Sequence, residues 1–213
     1  MSSRLRDGAA ALGLALTAAQ ERMLLAHLDL LDEWGARMNL TAIRDRSQQI
    51  TRHVLDSLSV HPWLRGERIA DLGSGAGFPG IPLAIVAPDR HFTLIESTGK
   101  KCDFLRHAVA ELGLANVEVV QAHSDHWRPR VRFPTVLARA VGPLARLVRS
   151  GGHLVAGDGR LLAMKGRLAE AELAARLNGW KVAAVHRLSV PGLEAERHLV
   201  ELCRSHERDA AKK

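Results

Sequence analysis

Leu24, Leu28 and Leu31 recur at helical spacing, widened by Leu25 and Trp34, while Glu21, Asp29, Asp32 and Glu33 fall largely off that stripe. The segment reads as an amphipathic helix packed on something. Thr17 followed by Gln20 marks its start, with the spacing of a capping box in which a hydroxyl and an amide each satisfy a backbone NH. A second helix is predicted from Ser47, burying Ile50, Val54, Leu55 and Leu58 and ending before Pro62, because proline disfavours helical geometry in the residue before it. A polar connection, Asn39 to Arg46, separates the two.

From Glu67 the pattern changes to short apolar runs alternating with helical stretches, which predicts βαβ units and a largely parallel sheet. Seven strands are expected: Arg68 to Leu72, His91 to Ile95, Val117 to Gln121, Thr135 to Ala138, Leu161 to Lys165, Val182 to Leu188 and Arg197 to Cys203. Only a turn region at Pro191-Gly192 separates the last two, so they are expected to close the sheet as an antiparallel hairpin. The chain thus divides into a helical extension (1–66), a main α/β domain (67–205) and a polar tail (206–213).

The 213 residues suffice for one domain with a sizeable core plus a modest extension, and 46% hydrophobic with 25% charged residues excludes wholesale disorder. A net charge of +7 and a pI near 10.2 fit a polyanionic partner. The distribution sharpens this: from His126 to Gly157 there are six arginines (Arg128, Arg130, Arg132, Arg139, Arg146, Arg149) and no acidic residue. The alternative is a solvated basic surface. Cys102 and Cys203 stand far apart, signalling neither a disulfide framework nor a thiolate zinc site, as suits a reducing cytoplasm. The apolar run Ala9 to Leu16 is too short to span a bilayer, so no membrane association is expected. His123-x-x-His126 lacks further clustered ligands, and no metal is predicted.

The candidate chemistry lies in Asp71-Leu72-Gly73-Ser74-Gly75-Ala76-Gly77-Phe78-Pro79-Gly80, which follows the first strand and precedes an apolar helical run at Ile81 to Val86. Glycines there permit unusual backbone angles and let a ligand approach the main chain. Gly73-x-Gly75-x-Gly77 matches a methyltransferase pattern, yet Gly75-x-Gly77-x-x-Gly80 also satisfies the dinucleotide fingerprint. Glu96, at the end of the second strand, is placed to accept both ribose hydroxyls of either cofactor. Asp125, beside Ser124 after the third strand, is placed to accept from the exocyclic amine of adenine, which favours S-adenosylmethionine.

Further motifs extend along nearly the whole chain: Trp34 with Met38-Asn39-Leu40-Thr41, Arg52-His53-x-x-Asp56-Ser57, the glycine turn through Ile81-Pro82, Lys100 with Phe104-Leu105-Arg106, Arg139-Ala140, Lys165-Gly166, and Pro191-Gly192 with Glu196-Arg197-His198-Leu199. With them the chain closely resembles the bacterial small-subunit ribosomal RNA methyltransferase G family, also called glucose-inhibited division protein B. The resemblance implies a Rossmann-like seven-stranded S-adenosylmethionine-dependent methyltransferase fold behind an N-terminal helical extension. It also implies S-adenosylmethionine as donor and nitrogen-7 of a guanosine in the decoding-region loop of 16S ribosomal RNA as acceptor. Gly73, Phe78, Ser124, Asp125 and Arg139 match the family's cofactor-contacting positions, the Ser124-Asp125 dipeptide being where the chain departs from the pattern.

Nitrogen-7 of guanine has a free lone pair, so no general base is expected. The substrate-positioning candidates are Asn39, Arg44, His53, Asp56 and Lys165. His53 and Asp56 share a face of the second helix, where they either contact RNA or fix the extension to the sheet. Lys165 sits at the carboxyl edge of the sheet, where open α/β folds bind ligands, and Arg139, which suits the cofactor's carboxylate or an RNA phosphate, is assigned to the cofactor. The four tryptophans are expected to pack rather than stack on RNA. The expected partner is 16S ribosomal RNA or the small ribosomal subunit, with no protein partner predicted. A nicotinamide oxidoreductase and a ribosome-assembly module with a decayed cofactor site remain the alternatives.

Overall fold

The Thr17 hydroxyl accepts the Gln20 NH at 3.2 Å while Gln20 Oε1 accepts the Thr17 NH at 3.0 Å. This capping box opens a helix over Ala18–Met38. Ahead of it the structure, a computed structural model that describes residues 2–205, contains a helix the leucine pattern does not predict, α1 over Ser2–Ala11. Leu5 and Ala9 are its buried apolar side chains, too few to produce a readable stripe. Gly8 brings α1 against Leu55, whose Cδ1 would lie 2.4 Å from an added β-carbon. The Ala18–Met38 helix, α2, buries Leu24, Leu28 and Leu31 completely and ends at Asn39 in the left-handed conformation, φ 49°.

The next helix starts at Arg46 rather than Ser47, because Asp45 Oδ1 accepts the Gln48 NH at 2.9 Å. It is not uniform: α3 (Arg46–Gln49) passes into a π-helical stretch, Ile50–Leu55, and then α4 (Asp56–Leu58). Such widened turns are rare and concentrate at functional sites. This one carries Arg52 and His53.

All seven expected strands form: β1 Arg68–Leu72, β2 His91–Glu96, β3 Val117–Gln121, β4 Phe133–Arg139, β5 Val155–Lys165, β6 Trp180–Arg187 and β7 His198–Arg204. They make one sheet in the order β3-β2-β1-β4-β5-β7-β6. The first five are parallel, and β7 runs antiparallel to both β5 and β6, giving the expected closing hairpin. β5 begins at Val155 rather than Leu161. Its first half bulges: Phe133 pairs with Val155 but Thr135 already pairs with Arg160, so Gly157, Asp158 and Gly159 interrupt the apolar run without ending the strand.

Helices α5 (Gly80–Val86), α6 (Gly99–Glu111), α7 (Leu144–Gly151) and the short α8 (Glu170–Leu173) occupy the connections. Leu5, Leu24, Leu28, Ile50 and Val54 share one hydrophobic cluster with Ile81, Leu94, Phe104 and Leu105, so the extension is seated on α5, α6 and β2. Leu144 and Leu147 of α7 pack with Leu72, Val136 and Leu161 in another. β1 lies between β2 and β4, so the connections leave it in opposite directions and open a crevice at its carboxyl end. No helix among the described residues is long and apolar enough to cross a membrane. The polar tail at 206–213 lies outside the described residues.

Candidate functional site

The glycine turn leaves β1 at that crevice. Gly73, Gly75 and Gly77 have φ of 69°, 57° and 86°, in the left-handed region that a β-carbon disfavours. The Ile95 carbonyl accepts the NH of both Gly73 (2.8 Å) and Ser74 (3.2 Å), tying the turn to β2. At Gly80 an added β-carbon would lie 2.3 Å from Leu94 Cδ2 and 2.8 Å from Asp71 Oδ2. Asp71 is fully buried, and its Oδ2 accepts the Gly80 NH at 3.0 Å. Burial pushes its pKa up to about 6, against the opposing pull of the Gly80 NH, Ser74 and Arg139.

These bonds separate the two cofactor classes that the glycine spacing leaves open. A dinucleotide's pyrophosphate is bound by free amides at the start of the helix after the turn. Here the first amide of α5 goes to the Asp71 carboxylate, the Ile81 NH goes to the Gly77 carbonyl at 2.7 Å, and Pro82 has none. The chain has filled the phosphate seat with its own carboxylate. A nucleoside without phosphates fits this turn.

Glu96 is 6% exposed, and its two oxygens accept the NH groups of Thr98 (2.9 Å) and Gly75 (3.1 Å). Burial acts to raise its pKa, but these bonds and the Lys101 charge outweigh it and hold the carboxyl below the ordinary range. It stays ionised, with lone pairs left for ribose hydroxyls. Beside it opens a cavity of about 300 Å³ bordered by Gly73, Glu96, Ser124, Asp125, Arg146 and Arg149. Asp125 is exposed; its own backbone NH and the Ser124 hydroxyl, 3.3 Å from Oδ1, hold its pKa down. A second cavity of about 180 Å³ runs along the turn past Gly73, Gly75, Phe78, Thr41 and Arg139. In front of Gly75 a β-carbon would find nothing nearer than 3.9 Å, so the turn offers open backbone. A polar nucleoside-sized cavity joined to a smaller one along bare backbone fits S-adenosylmethionine.

Phe78 is buried at the floor of the turn. His27 stacks on it at 4.6 Å and 29°, His53 at 4.8 Å and 21°, and the Arg139 guanidinium lies 5.4 Å from its centroid. His27 Nε2 donates to the Ala76 carbonyl at 3.0 Å, since a carbonyl only accepts; its Nδ1 is buried without a partner. Burial first, then the nearby His53, lower the His27 pKa to about 4, and burial with the Arg139 charge does the same for His53. Both rings are neutral near pH 7. His27 clamps α2 onto the cofactor turn, a role the sequence reading missed. Its only signal was a polar residue on the apolar stripe between Leu24 and Leu28.

A third cavity, of about 460 Å³, adjoins the second at His53, Arg139 and Ala140 and is also bordered by Arg52, Asp56, Lys165 and Arg197. Asp56 is buried here between two guanidinium groups, Arg197 Nε at 2.8 Å and Arg139 Nη1 at 3.3 Å. Arg139 also donates to the Arg52 carbonyl at 3.2 Å. Lys165 Nζ donates to the Gly142 carbonyl and to Glu172 Oε1, both at 2.5 Å. Ala140 has φ 59°, a strained setting for a residue with a β-carbon, at the junction of the two cavities. His53, Asp56, Lys165 and Arg139 therefore meet, joined by Arg52 and Arg197, which the sequence reading placed in motifs but not in the site. Asn39 caps α2, and exposed Arg44 lies over Gly35; neither borders these cavities.

The family model for rRNA small subunit methyltransferase G matches residues 20–200. The Ribosomal RNA small subunit methyltransferase G of Marinobacter nauticus is 46% identical over 202 residues, covering 95% of this chain and 94% of that protein. That of Stenotrophomonas maltophilia strain K279a is 47% identical over 200 residues, covering 94% and 93%. Among solved structures, the S-adenosylmethionine-dependent methyltransferase SibL superposes with a TM-score of 0.59 at 18% identity, covering 75% of this chain and 56% of that one. At that identity the likeness is one of fold.

Proposed function

The chain belongs to the rRNA small subunit methyltransferase G family, and from that premise we propose that it methylates nitrogen-7 of a guanosine in the decoding-region loop of 16S ribosomal RNA. The donor is S-adenosylmethionine, which when bound supplies an electrophilic methyl group. Gly73, Gly75, Gly77, Phe78, Glu96, Ser124 and Asp125 form its seat. The observation that carries the reading is the cation-lined cavity of about 460 Å³ that opens directly beside the cofactor turn, sharing His53, Arg139 and Ala140 with it.

Guanine nitrogen-7 attacks through its own lone pair, so no side chain has to remove a proton. Neutral His53, with a pKa of about 4, is consistent with that. What these residues do is hold and orient. Arg139 and Arg197 share one buried carboxylate, Asp56, and Lys165 pairs with Glu172, so with Arg52 the cavity keeps a positive field for a nucleotide of RNA. Alignment of donor and acceptor contributes on the order of 7–11 kcal/mol at its best. The ribosomal substrate implies a cytoplasmic enzyme that acts on the RNA or on the small subunit.

Incubating the protein with methyl-labelled S-adenosylmethionine and small subunits from a strain lacking this modification is expected to label 16S RNA at one guanosine. No transfer to either naked RNA or subunits overturns the reading.

A further inference from the structure

The arginine-rich stretch His126 to Gly157 is not one surface. Arg128 folds back on the Asp125 and Trp127 carbonyls and His153. Arg130 and Arg132 flank Val131, whose carbonyl accepts from Arg68 at the start of β1, so they lie at the amino edge of the sheet, away from the cofactor turn. Arg139 is committed to Asp56. Arg146 and Arg149 differ from all of these. They stand three apart on the outward face of α7, whose Leu144, Leu147 and Val148 are buried, and both border the cofactor cavity that Glu96 also lines. Both are exposed, and among the described residues neither makes a hydrogen bond or an ion pair.

Two free guanidinium groups side by side form a seat for phosphate oxygens, because each presents a planar fork of donors. S-adenosylmethionine has no phosphate and is positively charged at sulfur. We propose that Arg146 and Arg149 bind backbone phosphates of the RNA substrate, so that the RNA lies across the mouth of the cofactor cavity and covers it. The inference rests on the RNA methyltransferase reading above and adds where the strand runs.

The test compares the R146A/R149A and R146E/R149E variants with R130A/R132A, which removes the same charge from the opposite edge. Methylation of small subunits is measured across salt concentrations, and S-adenosylmethionine binding by calorimetry. When two arginine–phosphate pairs can no longer form, KM for the subunit is expected to rise roughly tenfold, and the log–log salt dependence to become shallower by about 1.4. The Kd for S-adenosylmethionine, which also reports folding, changes less than KM does, and R130A/R132A stays near wild type. An unchanged KM and slope in R146E/R149E, an equal loss in R130A/R132A, or a loss of cofactor affinity larger than the rise in KM each overturns the proposal. Absence of methylation by the wild-type protein instead defeats the functional reading itself.

Discussion

The cofactor cavity and the cation-lined cavity beside Lys165 meet at one turn, yet they are assembled by different means. The first has a backbone floor: residues 71–80 supply it, and Glu96 is held by the amides of Gly75 and Thr98, while Ser124, Asp125, Arg146 and Arg149 complete its rim. Its geometry depends on the absence of side chains. The second depends on side chains from distant elements, with Asp56 gathering Arg139 from 83 positions away and Arg197 from 141. A backbone-built floor is most sensitive to added bulk; a side-chain-built site is most sensitive to loss of its polar groups.

Substitutions can break this contrast. Asp56→Ala leaves two partly buried guanidinium groups without their carboxylate and is expected to cost about 3 kcal/mol in urea denaturation; a loss below about 1 kcal/mol would mean that the pairs do not hold the extension to the sheet. Gly80→Ala forces a β-carbon against Leu94 and Asp71. It should cost about 2 kcal/mol through overpacking and weaken S-adenosylmethionine at least tenfold by calorimetry, whereas unchanged affinity would show that the turn has slack. Lys165→Ala removes the tie among β5, Gly142 and Glu172. A drop in kcat of about tenfold (~1.4 kcal/mol) with cofactor Kd within twofold is expected, and the reverse pattern would assign Lys165 to the cofactor side.

His27→Phe keeps the stack on Phe78 but deprives the Ala76 carbonyl of its donor, at about 1 kcal/mol. Cofactor affinity should fall severalfold while KM for the RNA stays constant, and His27→Gln, which can still donate, should recover part of the loss. Equal behaviour of the two variants would reduce His27 to a packing residue.

The last expected effect is in the pH dependence, where the shifts partly cancel. His27 and His53 titrate near 4 in the fold against 6.5 in the open chain, so their contribution is complete above pH 6.5 and is lost as pH falls toward 4. Asp71 acts the other way: its pKa is raised from 3.8 to about 6, so its contribution is complete below 3.8 and is lost as pH rises through 6. Around pH 5 two histidines oppose one carboxylate. Stability should therefore fall gently with acidification, and more steeply in Asp71→Asn; identical slopes in urea midpoints between pH 4 and 6.5 would contradict the buried carboxyl's role.

Much of the fold was legible because its signals are local. Thr17 and Gln20 are three apart, and the strands from Arg68 to Gln121 are short apolar runs with clear boundaries. α1 was not legible, since Leu5 and Ala9 give too little periodicity, nor was the early half of β5, where two glycines accommodate a bulge. In the site, the glycine turn and Glu96 could be read from spacing. The dinucleotide alternative could not be dismissed that way, because the Asp71 bond to Gly80 that closes the phosphate seat depends on side-chain orientation.

By itself the sequence determined the βαβ order, the closing hairpin, the helix start at Thr17 and the place of the glycine turn, because each follows from periodicity, capping or glycine spacing within a few residues. Tertiary structure alone decided which cations are paired and which are free. Arg139 and Arg197 share one carboxylate, Arg130 and Arg132 lie at the far edge, and Arg146 and Arg149 remain open at the cavity rim. Composition counts these charges alike, since partners far apart along the chain leave no local trace of their pairing.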